Sequence, residues 1–128
     1  MGLINGIHHI SMKTSSAEQY NKVVGFYQDI LGLPVLRKWE GGIMFETGAG
    51  LIEIFTNGEG DLPKGTIRHI AFNVDNVDLC VKTVTEAGYE IFMGPKDIVI
   101  PSSPELHARM AFCYGPLGEE IEFFQENR

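Results

Sequence analysis

Ile7-His8-His9-Ile10-Ser11 and, roughly 60 residues further on, Arg68-His69-Ile70-Ala71-Phe72 open two stretches of this chain that run in the same order. In both, a histidine sits in a short segment rich in β-branched and apolar residues. Each segment leads into a helix-like pattern and then into strand-like segments that carry a glutamate. In the first stretch the glutamate segment is Leu51-Ile52-Glu53-Ile54-Phe55, and in the second it is Glu120-Ile121-Glu122-Phe123-Phe124. Strands show their side chains alternately to two faces, whereas helices repeat every 3.6 residues, so the succession of the two periods can be read directly.

The first stretch begins with a strand at residues 7–13. Ser15 and Ser16 stand three residues before Glu18 and Gln19, a capping-box pattern. Tyr20, Val23, Val24, Tyr27 and Leu31 then recur at helical spacing, and Gly32 and Pro34 stop the helix. Residues 35–39, 43–47 and 51–56 read as strands, separated by glycine turns. The second stretch repeats this. It has a strand at 66–74, then a helix capped by Asp75 or Asn76 with Val77, Cys80, Val81 and Val84 inward, and it ends at Gly88. Strands follow at 89–93, 108–114 and 119–125, and residues 94–106, with three prolines, read as a long loop without a counterpart in the first stretch. Residues 57–65 are the expected linker. The pattern predicts an α+β fold: one domain over residues 1–128, built from two βαβββ modules at about 7–56 and 66–125 that form a curved mixed sheet with helices outside.

Composition narrows the function. A chain of 128 residues can bury a real core, and 44% of it is hydrophobic without any apolar run long enough to span a membrane. The formal charge of −7 and the scattered basic residues exclude a nucleic-acid binder, which needs a basic face. The first six residues lack the basic and apolar regions of a signal peptide, and Cys80 and Cys113 read as two buried thiols of a reduced cytoplasm.

Strand alternation tests whether the histidines and glutamates could share a cavity. If His9 faces it, Ser11 and Lys13 do too, and Ile10 and Met12 pack on the helix. His69 likewise brings Ala71 and Asn73, leaving Ile70, Phe72 and Val74 for the core. Glu53 leaves Ile52 and Ile54 for the core, and Glu122 leaves Ile121 and Phe123. His8 competes with His9, and Glu120 shares the parity of Glu122. Two imidazoles and two carboxylates suit a divalent transition metal rather than Ca or Mg, with Ni, Co or Zn first and Mn or Fe also admitted. Four protein ligands leave two places on an octahedral ion, enough for a substrate with vicinal oxygens whose developing charge the metal would stabilise.

On these residues the chain resembles the vicinal oxygen chelate superfamily and, within it, the bacterial short type of glyoxalase I. The segments that carry the resemblance are His-His-Ile-Ser-Met at 8–12, Phe-Tyr-Gln-Asp-Ile-Leu-Gly-Leu at 26–33, Leu-Ile-Glu-Ile-Phe at 51–55, Arg-His-Ile-Ala-Phe-Asn-Val at 68–74 and Gly-Pro-Leu-Gly-Glu-Glu-Ile-Glu-Phe-Phe at 115–124. The resemblance implies that His9, Glu53, His69 and Glu122 are the metal ligands. It implies isomerisation of the hemithioacetal of a 2-oxoaldehyde and a thiol to a 2-hydroxyacyl thioester, through a cis-enediolate held at the metal. Glu122 would be the catalytic base and Glu53 its partner in proton return. Lys13 and Asn57 fall where the family places its glutathione-binding Arg and Asn, and Lys lacks the planar fork of Arg. A homodimer and a small-molecule thiol adduct, glutathione or another, follow as expected partners. Acyl-CoA epimerases and fosfomycin-type thiol transferases share the scaffold and remain alternatives, as do metal-free sequestering proteins. Trp39 and Phe45 read as core or interface packing, His107 as solvated, and Arg109 as a candidate substrate contact.

Overall fold

The structure is a computed structural model that describes residues 7–60 and 68–127. The chain divides into two compact units, Met1–Pro63 and Lys64–Arg128. Each is a four-stranded mixed sheet with one main helix, so the fold is α+β. Among the described residues no helix is long and apolar enough to cross a membrane.

The first unit contains β1 (His9–Lys13), α1 (Ala17–Gly25), β2 (Val35–Trp39), β3 (Gly42–Glu46) and β4 (Leu51–Phe55), with sheet order β1-β4-β3-β2. β1 runs parallel to β4, and the remaining neighbours are antiparallel. Ser16 is the N-cap of α1 and accepts from the Gln19 N–H at 3.1 Å, while the Gln19 side chain reaches back to the Ser15 N–H at 2.7 Å. The reciprocal bond of the capping box therefore falls one residue earlier than its usual partner. The helix tail continues as a π-helical turn, Phe26–Ile30, that brings Phe26 and Tyr27 into the core together. Gly32, at φ 73, then breaks the helix in the left-handed region that a side chain disfavours. Val23, Phe26 and Tyr27 pack with the fully buried Phe45, Ile52 and Ile54, and Tyr27 stacks on Phe45 with ring centroids 6.3 Å apart. Each such side chain contributes about 1.5–3 kcal/mol of burial. Phe45 is thus core, as expected.

The second unit contains β5 (His69–Asn73), α2 (Val77–Glu86), β6 (Ile91–Ile100), β7 (Leu106–Tyr114) and β8 (Glu120–Glu126), with sheet order β5-β8-β7-β6. Of the two candidate caps, Asn76 is the one used, accepting from the Leu79 N–H at 3.0 Å. Val77 and Val84 of α2 are completely buried, as are Ala111, Cys113 and Ile121 on the sheet. The expected strand at residues 66–74 begins at His69, and its positions 66 and 67 lie outside the described residues.

One sequence expectation is corrected here. Residues 94–106 are not a long loop, because β6 continues to Ile100 and pairs with β7 down to Ile100↔Leu106. Pro95 is tolerated because the register shifts between Met93 and Lys96, so a bulge takes up the residue that cannot donate. Gly94, at φ 78, makes the approach possible, since a Cβ there would stand 2.5 Å from the Met110 carbonyl oxygen. The β-branched run Ile98-Val99-Ile100 then completes a strand that the prolines masked in the sequence.

Candidate functional site

In the first unit the register His9↔Leu51 and Ser11↔Glu53 sets His9 one pleat away from Glu53 on the same face. His9 Nε2 lies 3.5 Å from Glu53 Oε1. In the second unit the register His69↔Glu120 and Ala71↔Glu122 repeats the offset, and His69 Nε2 lies 3.4 Å from Glu122 Oε1. Both histidines are exposed and both glutamates are buried, at 5% for Glu53 and 9% for Glu122. Strand alternation predicted these facings: β1 and β5 expose alternate residues beginning with the histidine. His9 rather than His8, and Glu122 rather than Glu120, make the close approach.

The structure therefore brings the four proposed ligands together as two pairs, one in each unit. Among the described residues no three His, Cys, Asp or Glu side chains form a metal-binding group. The donor chemistry of each pair nevertheless fits a divalent transition metal. Both separations exceed the usual hydrogen-bond length. Two ligand atoms about 2.1 Å from one ion stand roughly 3.0–3.4 Å apart at bond angles of about 90–110°. The observed separations of 3.5 and 3.4 Å need little adjustment to reach that spacing.

The carboxylates differ in what else touches them. Ser11 Oγ donates to Glu53 Oε1 at 2.5 Å, a charge-assisted bond that fixes the carboxylate. Ala71 stands opposite Glu122 and has nothing to donate. Burial pushes the Glu122 carboxyl above its ordinary value, and the neighbouring His69 offsets only part of that shift. The imidazoles are also held differently. His9 Nδ1 is 2.9 Å from His8 Nδ1, whereas His69 lies edge-on to Phe112 with centroids 5.2 Å apart.

The proposed substrate residues Lys13 and Asn57 are both exposed. Lys13 follows His9 and Ser11 on the same face, and the backbone after β4 folds back along it. The Gly58 N–H donates to the Thr14 carbonyl at 2.9 Å, and a Cβ on Gly58 would stand 3.0 Å from Lys13 Cβ. Glycine at position 58 is what lets the Asn57 segment run against Lys13. The matching positions of the second unit are Asn73 and Glu126, which with Ala71, Phe72 and Phe124 line a cleft of about 240 Å³ beside Glu122.

The sequence reading missed several residues. Cross-strand pairs Arg37↔Met44↔Glu53 and Trp39↔Gly42↔Phe55 put Arg37, Met44 and Trp39 on the face of Glu53. Trp39, read from sequence as core or interface, is 38% exposed and lies edge-on to Phe55. Strand alternation within residues 35–39 could have signalled the shared facing of Arg37 and Trp39, but not which face it was. Arg109 is corrected in the other direction. It pairs with Asp78 of α2 at 2.8 and 3.0 Å and with Asp97 at 3.3 Å, which fastens the helix to the sheet rather than offering a substrate contact. His107 is exposed, and its ring bonds to Glu105 at 2.7 Å.

With this geometry in place, comparison with known proteins gives the family. A family model described as the glyoxalase/bleomycin resistance protein/dioxygenase superfamily matches residues 6–123. The chain belongs to that superfamily. A crystal structure of a glyoxalase/dioxygenase from Nostoc punctiforme superposes with a TM-score of 0.76 at 21% identity, covering 99% of this chain and 94% of that one. TnmS3, an antibiotic binding protein from Streptomyces sp. CB03234, superposes with a TM-score of 0.74 at 20% identity, covering 99% of this chain and all of that one. At such identities the likeness concerns the fold alone. The metallothiol transferase FosB of Staphylococcus epidermidis is 35% identical over 80 residues, 59% of this chain and 54% of its own. The FosB of Staphylococcus haemolyticus matches over the same extent. The match thus spans about half the length of these curated relatives.

Proposed function

We propose that His9, Glu53, His69 and Glu122 together bind one divalent transition metal, Ni, Co, Zn, Mn or Fe, and that the protein is a glyoxalase I-like isomerase acting on a thiol hemithioacetal. The observation that carries the reading is the repeated pair: a half-exposed imidazole and a buried carboxylate in the same register, once in each unit. A bound metal would supply Lewis acidity towards two adjacent substrate oxygens. The chain's own residues do the rest. Glu122, whose carboxyl holds its proton more readily than usual, takes the proton from the carbon beside the carbonyl and can release it again. Glu53, fixed by Ser11, assists the return of the proton on the other side. Lys13 and Asn57 bind the polar end of the thiol, and the cleft at Ala71 and Asn73 receives the substrate's remaining substituent. A homodimer in the cytoplasm is part of this reading, and sedimentation would read the assembly.

Isomerisation of the methylglyoxal–glutathione adduct by protein reconstituted with Ni, Co, Zn or Mn tests the proposal, with metal content determined on the same samples. Turnover that follows metal content supports it. A metal-loaded but inactive protein points to the second reading, metal-dependent transfer of a thiol to a small electrophile, which the FosB relatives favour. A chain that takes up no metal would overturn both and leave ligand sequestration.

A further inference from the structure

We propose that Arg37 is an anion-binding residue of the substrate site, taking a carboxylate or phosphonate group that the substrate carries beyond the atoms beside Glu53. The inference rests on reading the face of Glu53 as the substrate face.

Three observations support it. First, the register between β2 and β3 shifts between Val35 and Arg37. Val35 pairs with the buried core residue Phe45, yet Arg37, two positions on, pairs with Met44. Met44 is opposite Glu53. The bulge at Leu36 therefore aims Arg37 at the Glu53 face, a typical use of a bulge. Lys38, the next residue, pairs with Ile43 and belongs to the other face. Second, Arg37 lies along the face. Its Nη1–H points at Met44 Sδ, 3.5 Å away, so the guanidinium extends over the methionine that neighbours Glu53. Two strand spacings separate the backbones of Arg37 and Glu53 by about 10 Å, a gap an arginine side chain narrows to the length of a small substrate. Third, Arg37 forms no ion pair among the described residues, whereas Arg109 is saturated by two aspartates. Glu46, also on the Glu53 face, is occupied by the Gly48 N–H at 2.7 Å.

The chemistry suits the position. A guanidinium offers two parallel N–H donors to the two oxygens of a carboxylate or phosphonate. In a chain of net charge −7, an anionic substrate needs local cations to approach a buried glutamate, and Arg37 and Lys13 supply them on this face. Trp39 lies on the same face two residues away. A Cβ on Gly42 would stand 2.9 Å from Trp39 Cζ2, so the glycine gives the indole a flat seat. Trp39 is the chain's only tryptophan and so reports on this face.

The test titrates the full chain with methylphosphonate and, separately, acetate, both in the Zn-loaded and in the metal-free form. Calorimetry gives affinity, Trp39 emission gives location, and elemental analysis gives metal content. Arg37→Ala is expected to weaken binding of the preferred anion at least tenfold, and Arg37→Lys to recover part of the loss. Lys38→Ala should leave binding unchanged. The tighter of the two probes identifies the anionic group. Equal affinity in wild type and Arg37→Ala would overturn the proposal, and so would a loss in Lys38→Ala as large as in Arg37→Ala. Absence of binding by the wild type to either anion would overturn it too. Failure of the metal reading shows separately, as missing zinc, and the Arg37 ratio in the metal-free form then decides the inference by itself.

Discussion

The first unit holds its glutamate with a donated hydrogen bond, and the second leaves its glutamate without one from the facing strand. The two pairs share the parallel strand pair, the two-residue offset, the exposed imidazole and the buried carboxylate. The exchange of Ser11 for Ala71 at matching register positions separates a carboxylate held by a donated hydrogen bond from one whose proton affinity burial has raised. The two copies of the module thereby give their glutamates different surroundings in the same local register. The surroundings diverge in the same sense. The Glu53 face carries Lys13 and Arg37, whereas the Glu122 face carries Phe112 opposite the glutamate and a cleft walled by Phe124.

The sharpest way to break this comparison is to neutralise each carboxylate in turn. Glu122→Gln keeps the size and removes the base, and should lower turnover by about 10²–10⁴ with metal content largely retained. Glu53→Gln should cost less in turnover and more in metal retention, because a carboxylate held in place by Ser11 acts chiefly as a ligand. Steady-state rates beside metal analysis read both. Full activity in Glu122→Gln would remove it as the base.

Exchanging the facing residues comes next. Ser11→Ala makes the first unit's site resemble the second's, and strips a buried carboxylate of a charge-assisted bond. It should destabilise the metal-free chain by about 1–2 kcal/mol in urea unfolding. Ala71→Ser does the reverse, and offers Glu122 a donor that stabilises its charged form. Its activity optimum should therefore move to lower pH, whereas an unmoved profile would mean that the serine does not reach the carboxylate.

The helix caps give a smaller contrast. Ser16 is backed by Gln19 of its own helix, which binds the Ser15 N–H, while Asn76, which accepts from the Leu79 N–H, is backed from the sheet by Gln125, whose side chain accepts from the Val77 N–H at 3.0 Å. Asn76→Ala and Ser16→Ala should each cost about 1 kcal/mol, since a glutamine still satisfies one neighbouring N–H in both. Denaturation midpoints at fixed pH measure both.

Much of this arrangement was legible because strand period and residue type agreed. His9, Glu53, His69 and Glu122 each sit at the polar parity of an otherwise apolar strand, so the sequence alone placed them on one face of their sheets. One place where local signals misled and one that they left open share a physical cause. Pro95 and Pro101 spoke for a loop, yet Gly94 and a register shift absorb the missing donor and β6 continues. The bulge at Leu36 likewise re-aims Arg37, and a bulge depends on pairing with the neighbouring strand, which one strand's sequence does not record. The Ser11 bond was half visible, since parity gave its facing but only the register gave its partner.

The smallest expected effect tests the Glu122 environment directly through pH. Burial raises its carboxyl above the ordinary 4.5, so the folded chain holds this proton to higher pH than the unfolded chain does. Stability from the protonated form is fully present below the ordinary value and is lost as pH rises through the folded value. Glutamine stays neutral throughout. In the metal-free protein, the stability of Glu122→Gln relative to wild type should therefore increase from about pH 4 upwards and then level off. Urea unfolding of the two proteins at several pH values measures the difference. His69 pulls the carboxyl down while burial pushes it up, so the same comparison in a His69→Ala background should show a larger rise, completed at higher pH. A difference flat with pH in both backgrounds would mean that the Glu122 carboxyl is solvated like any other, and the distinction between the two units would rest on Ser11 alone.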